Sequence, residues 1–184
     1  GGPEKSNFSD NGKLRGQKGD VFEGGVRVPF VVAWPSVLEA GMVYDQPVNS
    51  LDVSCTTLAL AGVEIEGRKV FDGVNLIPYF KGEKAGVPHK ALFWRKGDGD
   101  SWAVRSGKWK LLQVPGYDPA LFDLDADIAE ENNIAKAHPD VVSELRADYS
   151  VWDAENMKGQ FPSYRAYHDV LRGAYKALTI VPEL

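Results

Sequence analysis

The segment Ser9-Asp10-Asn11-Gly12 sets a carboxylate beside an amide. A hard divalent cation favours that pair, with charged oxygen from Asp10 and a neutral carbonyl oxygen from Asn11. The same four residues make a good turn, because Asp and Asn side chains bond nearby backbone and Gly accepts positive φ. Two adjacent ligands also supply only part of the roughly six to eight oxygens that calcium takes. Asp123, Asp125 and Asp127 alternate as the start of an EF-hand loop does. They lack its glycine at the sixth position and its glutamate at the twelfth, and read as an acidic turn after a strand. Cys55 is a nucleophile by type, yet it stands in the apolar run DVSCTTLALAG, where a buried, inert thiol is the ordinary outcome. As the one cysteine of the chain it excludes an intramolecular disulfide and a cysteine zinc cluster. His89, beside a β-like run, is a catalytic acid or a structural residue. His138 and His168 have no partner at ligand spacing, so no zinc site is indicated. Trp94, Trp102 and Trp109 could stack sugar rings, against a default of buried packing.

These residues must be held by recognisable elements. The first 25 residues are rich in glycine and charge and lack hydrophobic periodicity, so they read as a long functional loop. VRVPFVVAWP, residues 26–35, predicts a strand entering a buried sheet. A helix is expected through LDVSCTTLALAG, capped by Ser50 or Asp52 and stopped at Gly62, with Leu51, Leu58 and Ala61 near helical spacing. Asp72-Gly73 reads as a turn. KALFWR, SWAVRSGKWKLLQV and ALFDLD are short β-like runs, the second a hairpin turning at Ser106-Gly107. Pro139 opens a helix whose Val142, Leu145, Tyr149 and Trp152 share one face. The aromatic stretch from Phe161 onward is expected to fold back on the body. The fold class is therefore an α/β fragment, the end of a larger mixed sheet with a helix, over residues 1–85. An α+β subdomain with a small antiparallel sheet and a C-terminal amphipathic helix follows over 86–184.

At 184 residues the chain is long enough to bury a core. Its 26% charged and 43% hydrophobic residues are those of a globular protein, and its net charge of -5 argues against a general nucleic-acid binder. No apolar run approaches the ~20 residues that cross a bilayer, so no membrane partner is expected. The sequence starts at Gly1 rather than Met, so the lack of a targeting signal decides nothing.

The ordered strings LRGQKGDVFEGGVRVPFVVAWP, LDVSCTTLALAG, FDGVNLIPYFKGE, LFWR, WAVRSGKWKLL and LFDLDADIAEENNIA resemble the C-terminal part of formylglycine-dependent, arylsulfatase-like sulfatases of the alkaline phosphatase superfamily. The resemblance runs from Gly1 to about Asp153. It implies that the family's metal-binding Asp-Asn pair falls just upstream of Gly1-Gly2, leaving Asp10-Asn11 in a variable loop. It also implies that Lys18 is the lysine whose ammonium contacts the sulfate group. Sulfate-ester cleavage builds charge on the bridging and sulfuryl oxygens, which a compact, pre-placed cation stabilises. Glycines 16, 19, 24 and 25 would let the backbone approach a ligand closely; the alternative is a solvated loop lysine. Glu23 and Arg27 are supporting candidates, an ion pair that locks the loop to the following strand or a surface pair worth little.

A complete family member carries calcium and a formylglycine made from the Cys or Ser of a C/S-x-P-x-R motif. That motif does not occur here: Cys55 is followed by Thr-Thr-Leu-Ala and Ser36 by Val-Leu. The expectation is a C-terminal part of a sulfuric-ester hydrolase, supplying a sulfate-contacting lysine and part of the cleft. It would be silent alone and act on a sulfate ester only when complemented by the N-terminal catalytic part. An orphaned fragment should also expose an apolar face and self-associate. The resemblance implies a periplasmic, secreted or lysosomal setting. The other readings are a free-standing module for sulfated glycans and a phosphoryl-transfer hydrolase of the same superfamily.

Overall fold

The computed structural model of the chain describes residues 9–64, 71–96 and 101–158. Gly1-Gly2, His168 and the aromatic stretch from Phe161 lie outside them. The elements are α1 (Glu23–Val26), α2 (Ser50–Leu60), α3 (Ile77–Phe80), β1 (Leu92–Lys96), β2 (Ser101–Ser106), β3 (Trp109–Gln113), β4 (Ala120–Asp123) and α4 (Pro139–Ala154). They fall into two compact units, Gly1–Arg27 with Phe93–Leu184, and Val28–Leu92.

In the first unit, period-two alternation builds a four-stranded sheet of order β1-β2-β3-β4. The β2–β3 and β3–β4 pairs are antiparallel, with Ala103 opposite Leu112 and Lys110 opposite Phe122. Ser106 pairs with Trp109, so the hairpin turns at Gly107-Lys108, one residue later than expected. Gly107, at φ 55, supplies the left-handed backbone that a two-residue loop demands. On one face lies α4. Its Leu145 and Tyr149 are buried, Trp102 stacks on Tyr149 with ring centroids 4.2 Å apart, and Phe93 stacks on Trp152 at 5.2 Å. Burial, with Asp153 nearby, pushes the Tyr149 hydroxyl up to about 12. On the other face Ala103, Leu112 and Phe122 meet Val21, Leu124 and the half-buried Phe22. The end of the glycine-rich loop is thus the third layer of this unit.

In the second unit the cap of α2 is Asn49, not Ser50 or Asp52. Its side chain accepts from the Leu51 amide while Asp52, at the third helical position, accepts from the Asn49 amide, a reciprocal box. Gly62, at φ 80, follows the helix as expected. The inward face of α2 is Asp52 and Cys55, whereas Leu51 is 52% exposed. Cys55 is 2% exposed, the buried thiol of the ordinary reading. No strand forms over 26–35: Val26 ends α1, and Val28 and Val31 are 74% and 89% exposed. A strand exists only through a ladder with a neighbour, and none of the described residues provides one here.

Candidate functional site

The Lys18 turn is built from its neighbours. The Asp20 amide donates to the Gln17 carbonyl and the Gln17 amide to Asp20 Oδ2, each at 2.9 Å, which closes a turn over Lys18-Gly19. Gly19, at φ 88, permits that shape, and Lys18 stands exposed at the apex. Among the described residues no ion pair or hydrogen bond engages its ammonium.

Both flanks of this turn are tied down. Asn11 Nδ2 donates to the carbonyls of Gly16 (3.0 Å) and Gly24 (2.7 Å), and the Gly24 amide donates to the Arg15 carbonyl (2.7 Å). A Cβ on Gly24 would sit 2.5 Å from the Arg15 carbonyl oxygen, and one on Gly25 2.2 Å from that of Asp20. Only glycine fits either place. Below them is a buried ionic cluster. Lys110 Nζ lies 2.8 Å from Glu23 Oε1 and 2.9 Å from Glu130 Oε1, the three side chains being 0–2% exposed. The Glu23 amide donates to Glu130 Oε2 at 2.7 Å, and Arg15 Nη1 donates to the Glu130 carbonyl at 2.7 Å. Glu130 Oε1 has no hydrogen bond of normal geometry, so its contact with Lys110 is ionic. Burial holds the Glu130 carboxyl above the usual glutamate range against the opposing pull of Lys110.

Glu23 and Arg27 do approach, at 3.7 Å, with Arg27 half-exposed. The stronger partner of Glu23 is Lys110, and Arg105 stands 3.6 Å from its other oxygen. Sequence reading missed Lys110 and Glu130 because they lie 87 and 107 residues from Glu23. One signal was available: Lys110 occupies the same-face position as Leu112 in an apolar strand, where a charge must be paired.

The other candidates separate cleanly. Asp10 Oδ1 accepts from the Gly12 amide, and Asn11 spends its amide nitrogen on backbone, so the pair is a loop fastening. Asp123 pairs with Lys108 at 2.6 Å, and that hydrogen bond holds its carboxyl below the usual range. Asp127 accepts from the amides of Asn132 and Glu131, and those bonds, Asn132's first, lower it too. Among the described residues no three His, Cys, Asp or Glu side chains come together as a metal-holding group. In the second unit His89 Nε2 lies 2.8 and 2.9 Å from the two oxygens of Asp52, which is fully buried and also accepts from the Asn49 and Val74 amides. His89 is therefore one spoke of a structural carboxylate hub. Trp102 packs on α4, while Trp94 packs against the loop-side core. Trp109 lies beside His138, with ring centroids 5.2 Å apart.

Comparisons with known proteins place this arrangement. The choline-sulfatase of Rhizobium meliloti is 31% identical over 185 residues, 91% of this chain and 36% of that protein. Arylsulfatase A of Bos taurus is 32% identical over 188 residues, 87% of this chain and 36% of that protein. The solved structure of Ps i-CgsB in complex with k-i-k-neocarrahexaose superposes with a TM-score of 0.79 at 28% identity, covering 99% of this chain and 40% of that one. The chain thus spans well under half the length of these relatives. Residues 17–150, from the turn that bears Lys18 to within α4, match the family described as N-sulphoglucosamine sulphohydrolase, C-terminal, and the chain belongs to that family of sulfatases.

Proposed function

We propose that this chain is the C-terminal working part of a sulfuric-ester hydrolase, and that Lys18 contributes the ammonium that binds the ester's sulfate group. The observation that carries the reading is an exposed lysine at the apex of a turn whose two flanks are fastened to a buried cluster. A cation held in that way meets developing negative charge without reorganising at the moment of reaction. The sequence carries no C/S-x-P-x-R motif from which a formylglycine nucleophile is made, and Cys55 is buried in α2. A lysine alone binds an anion but does not displace an ester.

The chain by itself is therefore expected to show no aryl-sulfate turnover. Activity should appear when a polypeptide supplying the preceding part of a sulfatase is added. In that two-part enzyme Lys18→Ala should lower kcat/KM by about 100-fold or more, the scale of losing one charge-stabilising donor. Metal-dependent turnover by this chain alone, or a Lys18→Ala enzyme as active as its parent, would overturn the reading. A saturable affinity of the isolated chain for sulfated glycans, lost on Lys18→Ala, would point instead to a free-standing binding module. A periplasmic, secreted or lysosomal setting goes with the hydrolase reading, and no described helix is long and apolar enough to cross a membrane.

The apolar residues exposed on the second unit, Val28, Phe30, Val31, Val32, Met42 and Val43, are the surface assigned to that preceding part. Relatives of which the chain covers only 36–40% have the larger part of their own length to lay against it. Left uncovered, such a patch drives self-association. Sedimentation of the chain alone should show concentration-dependent oligomers that Val31→Asp reduces. A monomer at all concentrations would remove this surface from the proposal.

A further inference from the structure

We infer that Glu130 is a positioning residue for the Lys18 turn, clamping both flanks of the turn at a single residue in the bend that follows β4. The inference rests on the sulfate-contact reading of Lys18, but its geometry is independent of that reading. The flank before the turn is held by the Glu130 carbonyl, which accepts from Arg15 Nη1 at 2.7 Å. The flank after it is held by the Glu130 side chain, which accepts from the Glu23 amide at 2.7 Å. The two flanks are then stitched to each other by the Gly24 amide on the Arg15 carbonyl. Everything from Gly16 to Phe22 is a loop closed over one residue.

Glu130 is built for this work at a visible cost. It is the only non-glycine described with positive φ, at 55°, a conformation that disfavours a side chain with a Cβ. It is also fully buried. The conformation turns its carbonyl toward Arg15 while its carboxylate reaches Glu23 and Lys110. Asp127 shapes the same bend, its two oxygens accepting from the Glu131 and Asn132 amides. Arg15 is steadied in turn by Phe22, its guanidinium 4.5 Å from the ring centroid. A strained residue held by an arginine, a lysine and a backbone amide at once is over-determined, as positioning groups are.

Amide hydrogen exchange on the whole chain tests this. Glu130→Ala should speed exchange of the amides from Gly16 to Gly25 by ~tenfold more than that of the β3 and α4 amides, which rise only with the unit's overall loss of stability. Glu130→Gln, which keeps a carbonyl oxygen for the Glu23 amide, should recover much of the protection. Arg15→Ala, which removes an exposed side chain and so spares the core, should loosen the same amides and carries the test if Glu130→Ala fails to fold. A uniform rise across loop and sheet in the variants that fold, or a loop unchanged in Arg15→Ala, would overturn the clamp. A second readout separates the two ideas. If the loop loosens as expected yet Lys18→Ala leaves kcat/KM of the two-part enzyme intact, the clamp stands and the sulfate contact falls.

Discussion

Lys110→Met is expected to destabilise the first unit by about 3–5 kcal/mol near neutral pH, the usual consequence of removing one partner from a buried ionic cluster. The size follows from what stays behind. Glu23 and Glu130 remain 2% and 0% exposed, with Arg105 at 3.6 Å from Glu23 as the nearest remaining cation. Methionine matches the lysine stem in length, so the loss is of charge rather than packing. The effect has a definite pH dependence. Burial raises Glu130 above the usual glutamate range, so the folded chain holds that proton more tightly than the unfolded chain. Its stabilising share is therefore present below the usual range and is lost as pH rises through the raised value. Without Lys110 the rise is larger, so the gap between variant and parent should widen toward neutral pH and shrink in acid. Urea unfolding followed by tryptophan fluorescence in a Trp34→Phe background reads this unit, because Trp94, Trp102, Trp109 and Trp152 belong to it and Trp34 to the second. A gap below about 1 kcal/mol, or one that does not narrow in acid, would mean the cluster is not the charge-balanced lock described.

That lock also marks the boundary of what sequence reading reached. The hairpin and α4 were legible because their information is local. Alternation of Trp102, Val104 against Ala103, Arg105 fixes two faces, and Leu145 and Tyr149 recur on one side of a helix. The Lys18 turn was legible as a glycine-rich loop, and the family resemblance singled out its lysine. The strand expected over 26–35 was not realised, because composition reports β preference whereas a strand needs a neighbour. The cap of α2 slipped by one residue for a related reason: Asn49, Ser50 and Asp52 are all capping types, and the reciprocal bonds choose between them. The cluster of Glu23, Lys110 and Glu130 joins a loop, a strand and a bend, and no local period encodes that meeting. The pairing of Glu23 with Arg27, expected as a lock between loop and strand or as a surface pair, is a real but longer contact, 3.7 Å against 2.8 Å for Lys110.

The second unit should respond most to Asp52→Ala, with an expected loss of about 3–5 kcal/mol. Asp52 accepts from the Asn49 amide at 2.8 Å, the Val74 amide at 2.9 Å and His89 Nε2 at 2.8 Å. It thereby joins the start of α2 to two later segments of the same unit. Alanine removes the shared acceptor of all three donors, and each donor left buried and unsatisfied costs about 1–3 kcal/mol. Asp52→Asn should fall between, since its carbonyl oxygen still serves one amide while its NH2 meets another donor. His89→Ala removes one spoke and should cost less than Asp52→Ala. Cys55 provides the reporter: it is the only cysteine, it lies one turn along α2 from Asp52, and it is 2% exposed. Alkylation of its thiol requires the unit to open, so the rate follows the opening equilibrium. Asp52→Ala should speed that alkylation by roughly 100-fold or more, the factor that about 3 kcal/mol gives at a tenfold change per 1.4 kcal/mol. If Cys55 reacts at the parental rate in Asp52→Ala, Asp52 is not the hub of this unit. If His89→Ala matches Asp52→Ala, the histidine rather than the backbone donors bears the load.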